Sequence, residues 1–101
     1  MRVIVMFDLP VTTSKHMRTY RLFRKWLIET GFVMMQESIY SKIVLNPSAA
    51  RFLIAQLKAR EVNDGLIQAL IITEKQFSSI EFIIGQIKSD TINDMRRLVI
   101  I

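Results

Sequence analysis

The sequence predicts an α+β protein in which a strand, a helix, two strands, a second helix and a fourth strand follow one another. Three observations support this prediction. Residues 2–7 (RVIVMF) are rich in β-branched side chains and apolar on both faces, which is typical of a central strand. Two later segments show helical periodicity, and each has capping residues at its ends. The 101 residues suffice for one domain, spanning residues 1–101, that folds without disulfides or a structural metal.

Residues 15–30 are expected to form the first helix, because Pro10 ends the first strand and helix-capping residues follow it. Hydroxyl side chains that can cap its N-terminus stand at Thr12, Thr13 and Ser14. Gly31 is placed to end the helix as its C′ residue. Apolar residues recur at helical spacing and predict one buried face, formed by Met17, Tyr20, Phe23 and Leu27. Trp26 is expected in the core.

Residues 32–45 predict two short antiparallel strands with a break near residues 36–38. Asn46 is then expected as an N-cap, and Pro47 as the first residue of the second helix. This helix is expected to extend to about Arg60. Its buried side chains are expected to be Phe52, Leu53 and Leu57.

A strong turn signal at residues 63–65 (NDG) separates the second helix from another apolar strand at residues 66–73. The resulting order of elements is that of the ferredoxin-like split βαβ unit. In that unit the first and third strands lie at the centre of the sheet, which suits the two-sided apolar character of residues 2–7. Residues 1–73 therefore complete a ferredoxin-like βαββαβ core.

The remaining residues, 74–101, exceed what this fold requires. They contain a turn or single helical turn at 74–79 and two apolar pieces, 80–84 and 98–101. Because unpaired apolar strands must be covered or paired, we expect additional C-terminal strands that make dimer or partner contacts. Pairing across a symmetric homodimer is one solution, and extension of the same chain's sheet is the other.

The composition excludes several kinds of site. With no cysteine the chain has no disulfide, cysteine-based zinc site or thiol nucleophile, and one histidine cannot supply a histidine-rich metal site. The three glycines are too scattered for a phosphate-binding glycine loop. The longest apolar run, residues 3–7, is too short to span a membrane and lacks the features of a signal peptide. We therefore expect a soluble cytoplasmic protein.

The net charge of +5 favours an anionic partner. Residues 1–30 contain six basic and two acidic residues, so most of the excess charge lies there. At about 100° per residue, Arg18, Arg21 and Lys25 fall within an arc of about 60° on the first helix. Lys15 and Glu29 flank this arc, opposite the apolar stripe. Such a stripe is suited to bind phosphates without base specificity, whereas an ordinary solvated helix face is the alternative.

Asp8 is the candidate for chemistry. It ends a strand expected to be central, so its carboxylate should project at an edge of the sheet where ligands often bind. A turn-capping aspartate is the alternative. Since Mg²⁺ takes one or two carboxylates with waters and phosphates, a second Asp8 from a two-fold-related chain would improve the site. His16 is expected to be an exposed polar residue with no second base or nucleophile beside it.

Several segments, in their order and spacing, resemble the second CRISPR-associated adaptation protein. They are residues 3–10 (VIVMFDLP), the basic first helix, residues 31–32 leading into 36–40 (QESIY), residues 73–77 (TEKQF) and residues 97–101 (RLVII). The last two resemble its type II branch. The resemblance covers essentially the whole chain. It implies a ferredoxin-like homodimer with a metal-associated aspartate, matched by Asp8, and Mg²⁺ or another divalent cation.

The resemblance also implies a function. The central role of the family is that of a dimeric bridge between two integrase dimers, which binds double-stranded prespacer DNA during spacer acquisition while the integrase performs the chemistry. The basic residues of the first helix would then contact the phosphate backbone: Lys15, Arg18, Arg21 and Lys25. The C-terminal strands would serve dimer and integrase contacts.

The same family is described as metal-dependent endonucleases on RNA or DNA, which would make Asp8 both the catalytic and the metal-binding residue. Several relatives carry basic residues close after the aspartate, whereas residues 11–14 are uncharged here. The resemblance therefore does not extend to a cleavage-assisting cation at those positions. Two other interpretations stay open, a ribonuclease toxin of similar fold such as the virulence-associated D family, and a non-catalytic regulatory domain.

Overall fold

The computed structural model describes residues 1–60 and 62–85. The elements in chain order are β1 (Arg2–Asp8), α1 (Ser14–Thr30), β2 (Val33–Gln36), β3 (Ile39–Ile43), α2 (Pro47–Ala59), β4 (Leu66–Ile72) and α3 (Glu74–Ser78). This order confirms the α+β, ferredoxin-like class. Residues 80–84 are not part of a strand within the single chain, and their expected pairing with a second copy or a partner stays a prediction. The piece at 98–101 lies outside the described residues.

The four strands form one antiparallel sheet in the order β2-β3-β1-β4. The first and third strands therefore lie at its centre, as the apolar character of β1 predicts. Val5 stands opposite Tyr40 of β3 on one side and Ala69 of β4 on the other. Among the described strands, β4 pairs only with β1 and is the last strand on its side of the sheet.

The capping residues identified in the sequence stand at the observed ends of the helices. The Thr13 side chain accepts a hydrogen bond from the His16 amide and caps α1, and Gly31 ends it with φ of 105°. Asn46 caps α2 by accepting from the Ala49 amide, and Pro47 is its first residue.

The core lies between one face of the sheet and the helices α1 and α2. Alternate residues of β1 point into it, and Phe7 packs edge-on against Phe23 with ring centroids 5.0 Å apart. Phe7 also stacks on Tyr40 at 5.8 Å. The other buried apolar side chains of this cluster are Val3, Val5, Leu9, Leu27, Phe32, Val44, Ala50, Leu53 and Leu57. Trp26 is partly buried and packs against the cluster.

Two expectations about the buried helix faces are wrong. Met17 is 46% exposed, and Phe52 is 64% exposed. On α1, the position of Met17 is about 120° around the axis from Phe23, whereas that of His16 is about 20° from it. On α2, Ala50 takes the buried place, about 200° around the axis from Phe52. The buried face of each helix is therefore rotated about the helix axis from the face that the apolar residues alone would indicate.

The second face of the sheet carries the other residues of β1 and their cross-strand neighbours. Ile4 pairs with Leu70, and Asp8 pairs with Leu66, so these side chains share that face. Leu66 is 54% and Leu70 is 51% exposed. We call this surface, defined by Met6, Asp8, Leu66 and Leu70, the open face.

The single helical turn expected after β4 is confirmed as α3. A capping box begins it, in which Thr73 and Gln76 each hydrogen-bond the backbone amide of the other. Arg2 fixes this helix to β1: its Nε lies 3.0 Å from both carboxylate oxygens of Glu74, and its guanidinium lies 3.7 Å from the centre of the Phe77 ring. We call this contact the Arg2 clasp. Among the described helices, none is long and apolar enough to cross a membrane.

Candidate metal and nucleic-acid site

The carboxylate of Asp8 is held at the edge of the sheet and faces solvent. Phe7 and Leu9, its neighbours in sequence, are both buried in the core, and this fixes the strand end so that the Asp8 side chain lies on the open face. The Phe7 amide also donates to the carbonyl of Ser38 at 3.1 Å. The backbone around Asp8 is thus well anchored while its side chain is exposed.

The alternative interpretation of Asp8 as a turn-capping residue receives no support from the described contacts. The N-cap of α1 is Thr13, whose Oγ1 accepts the His16 amide at 3.1 Å. Within residues 1–60 and 62–85, the Asp8 carboxylate neither accepts a hydrogen bond nor joins an ion pair. Among these residues, nothing competes with a ligand for its oxygens.

Gly65 packs directly against the backbone of Asp8. A Cβ atom at this position would lie 2.6 Å from the Asp8 carbonyl oxygen, and the φ of 99° is one that residues with side chains rarely adopt. The turn predicted at residues 63–65 therefore needs glycine for both its conformation and its contact. It brings β4 into register beside Asp8, opposite Leu66.

The chemical type of the ligand atoms at Asp8 suits Mg²⁺. Asp8 offers hard carboxylate oxygens, which this ion prefers, and its exposure leaves room for waters and phosphate oxygens. Among the described residues, no three His, Asp or Glu side chains come together as a metal-binding group. Among the described residues Asp8 is therefore the carboxylate on which a metal site would rest, and water, a nucleic-acid phosphate or a second copy of Asp8 could supply further ligands.

His16 is partly buried rather than exposed, so the expectation for this residue is wrong. Its ring Nε2 lies 2.9 Å from the Asp64 carboxylate, and its Nδ1 lies 3.3 Å from the Thr12 hydroxyl. Because a carboxylate only accepts hydrogen bonds, Nε2 donates to Asp64. In the neutral ring Nδ1 then accepts from Thr12. We call these contacts the His16 bridge.

The sequence analysis did not predict this bridge, although the inward position of His16 could have been predicted from the helical phase. The helical phase of Phe23 and Leu27 places residue 16, and not residue 17, on the inward side of the first turn of α1. The partner could not be found, because Asp64 is 48 residues away along the chain. Only the pairing of β4 with β1 brings it to the start of α1.

The predicted basic stripe lies on an exposed face of α1. Its four residues are all exposed, namely Lys15, Arg18, Arg21 and Lys25. In the described part of the chain only Lys25 has an acidic partner, Glu29 at 4.0 Å, and both side chains are more than 60% exposed. Such a pair is too solvated to neutralise the stripe. Lys15 and Lys25 are ten positions apart, so these charges extend over about 15 Å of helix.

Arg24 is a further base that the sequence analysis did not select. It lies about 60° around the helix from Arg21, just outside the predicted arc. Together with Arg21 and Lys25 it lines a shallow groove between α1 and the β2–β3 hairpin, whose wall on the hairpin includes Met34 and Glu37. Arg24 is exposed in the structure, which helical periodicity alone did not indicate.

The fold and the site together define a small ferredoxin-like protein with an exposed strand-end aspartate and a basic first helix. Comparison with known proteins gives the family. The model of "CRISPR associated protein Cas2" matches residues 1–80. The chain therefore belongs to the Cas2 family, which confirms the resemblance found in the sequence.

Individual relatives agree with this assignment over nearly the whole chain. The CRISPR-associated endoribonuclease Cas2 of Treponema denticola is 44% identical over 101 residues, which is 100% of both chains. The protein of the same name from Streptococcus mutans serotype c is 43% identical over 99 residues, 98% of this chain and 91% of the relative. That of Lacticaseibacillus rhamnosus is 40% identical over the full length of both.

Proposed function

We propose that this chain is the dimeric scaffold of a CRISPR adaptation complex, which binds double-stranded prespacer DNA and bridges two integrase dimers. The observation that carries the proposal is the exposed basic stripe on α1. Its cations lie on one surface and are spaced along the helix, as contacts with successive phosphates require. Membership of the Cas2 family supports the place of this binding in a CRISPR system.

The open face supports the dimer. Leu66 and Leu70 expose about half of their surface on an edge strand, and such a surface favours association because burial removes apolar area from water. A second copy related by a two-fold axis would cover one open face with the other. The same axis, if it passes near the end of β1, would bring two Asp8 carboxylates together.

Charge reversal on α1 tests the DNA-binding role. We expect the triple variant Arg18→Glu, Arg21→Glu, Lys25→Glu to lose prespacer binding, and the integration by the complex reconstituted with its integrase to fall with it. Because each lost phosphate contact lowers the salt dependence of the binding constant by about 0.9, its log–log slope should decrease by about 2 to 3. Fluorescence anisotropy with a duplex prespacer at several salt concentrations measures both quantities.

A matched control separates a specific surface from overall charge. Arg51 and Lys58 are exposed on α2, a different helix from the one that carries the stripe. The double variant Arg51→Glu, Lys58→Glu should bind the same duplex with a much smaller loss. Equal losses in the two variants, or full integration by the triple variant, would contradict the role assigned to α1.

A metal-dependent endonuclease is the second candidate, and the free carboxylate of Asp8 favours it. Asp8 would hold the divalent cation, while the basic stripe binds the flanking phosphates. A bound Mg²⁺ would supply a more acidic water and charge stabilisation at the scissile phosphate. The curated relatives are named endoribonucleases, so RNA is the first substrate to test and duplex DNA the second.

The variant Asp8→Asn distinguishes the two candidates, because it keeps the shape of the side chain and removes its charge. If cleavage is a property of this chain, Mg²⁺-dependent cleavage of RNA or DNA should fall by at least about a hundredfold, a loss typical of removing a catalytic group. Integration should persist if the scaffold role is the main one. A variant that cleaves as fast as the parent would refute the endonuclease.

A further inference from the structure

We propose that His16 is a positioning residue for the Asp8 carboxylate, and that it acts through its hydrogen bond to Asp64. The inference rests on the metal-binding role proposed above for Asp8. His16 does not touch the substrate in this arrangement. It fixes the segments between which Asp8 lies, and so holds the carboxylate where a divalent cation can bind.

The His16 bridge connects three segments. Thr12 belongs to the loop that leaves Asp8, His16 belongs to the first turn of α1, and Asp64 belongs to the turn that leads into β4. The contacts of 3.3 and 2.9 Å therefore join the chain after Asp8 to the chain beside it.

These segments are the ones that can displace Asp8. The Asp8 backbone pairs with Leu66, and its carbonyl oxygen lies against Gly65, the residue that follows Asp64. A shift of the turn at Asp64 would therefore be transmitted through Gly65 to Asp8. The bridge opposes this shift because α1, to which His16 belongs, is anchored in the core by Phe23 and Leu27.

The hydrogen bonds also fix the orientation of the ring. Both ring nitrogens of His16 are engaged within the bridge, one by the Asp64 carboxylate and one by the Thr12 hydroxyl, so the side chain is held between the two segments that flank Asp8. The side chain is 27% exposed, whereas that of Asp64 is 65% exposed. Asp64 can consequently be changed without opening the core.

Titration with Mn²⁺ alone, followed by the loss of the free-ion electron paramagnetic resonance signal, tests the proposal on the full chain. We expect His16→Ala and Asp64→Ala each to weaken binding at Asp8 by about tenfold, as loss of a residue that orients a metal ligand typically does. The double variant should lose no more than either single one, because both remove the same contact. His16→Gln, which keeps an N–H donor toward Asp64, should restore most of the affinity.

Asn63→Ala is the matched control, since Asn63 lies in the same turn and is exposed, and it should bind Mn²⁺ as the parent does. Thermal unfolding of every variant shows whether it is folded, and Asp64→Ala carries the test if His16→Ala is not. If Asp8→Asn abolishes binding while Asp64→Ala leaves it unchanged, positioning by His16 is refuted and the Asp8 site stands. If Asp8→Asn has no effect, the metal site itself is refuted and the inference with it. A loss that His16→Gln does not restore would also overturn the hydrogen-bonding role.

Discussion

The two faces of β1 differ in environment at the carboxyl end of the strand, although Ile4, on the open face, is 7% exposed and thus as buried as the core residues. On the helix-covered face Val3 and Val5 are fully buried and Phe7 is 6% exposed. On the open face Met6 is half-buried, Asp8 is exposed, and the neighbouring edge strand exposes large apolar side chains. The first face provides the core of the monomer, and the second provides the surface for a carboxylate and a partner. At this end of β1, stability and proposed function thus divide between the neighbouring residues Phe7 and Asp8.

The largest effect is expected on the covered face. Phe7→Ala removes a ring that contacts Phe23 and Tyr40, and should lower the free energy of unfolding by about 3–5 kcal/mol. Urea denaturation followed by circular dichroism measures this loss. A loss below about 1 kcal/mol would show that the aromatic cluster does not hold the core together.

A smaller effect on the free energy of unfolding is expected at Gly65, in the turn that packs against the end of β1. Gly65→Ala forces a positive φ on alanine and places a methyl group against the Asp8 carbonyl, so unfolding should become easier by about 1–3 kcal/mol. Gly85→Ala is the control, because Gly85 also has a positive φ, of 88°, but no atom of the described residues lies within 4 Å of the added methyl. The difference between the two variants in urea measures the contact with Asp8. Equal losses would show that this contact is unimportant.

The smallest effect on stability, and the most informative one for the open face, is expected at Leu70. Leu70→Glu should change the unfolding free energy of the monomer by less than about 1 kcal/mol, because the side chain is half exposed. It should nevertheless weaken self-association, since a dimer interface would bury the new charge. Sedimentation velocity measures the shift from dimer to monomer. An unchanged sedimentation coefficient for a dimeric parent would place the interface elsewhere.

The sequence predicted those features of the fold that depend on local interactions. Gly31, Asn46 and Pro47 set helix ends through contacts with their own neighbours, so their roles could be found from position alone. The exposure of Asp8 followed from its place at the end of a strand expected to be central. Its metal-binding and catalytic roles, and the DNA contacts of the stripe, stay predictions.

The features that were missed depend on distant partners. Apolar periodicity favoured Met17 over His16, because a polar side chain counts against burial unless its partner is known, and that partner is Asp64. Residues 80–84 also depend on a distant partner. Their composition suits a strand, but a strand needs a neighbour to pair with, and they have none within the described single chain. Their pairing with a second copy or a partner stays a prediction.

The Arg2 clasp has a consequence for the kinetics of unfolding. It joins residues 72 positions apart, so it can form only after β1 and β4 have paired and brought their ends together. Interactions that form after the transition state for folding slow the escape from the native state and hardly affect the rate of reaching it. The clasp should therefore lengthen the time for which α3 stays packed on β1. Residues 80–85 follow α3 directly, so the clasp also keeps the start of this segment beside the sheet.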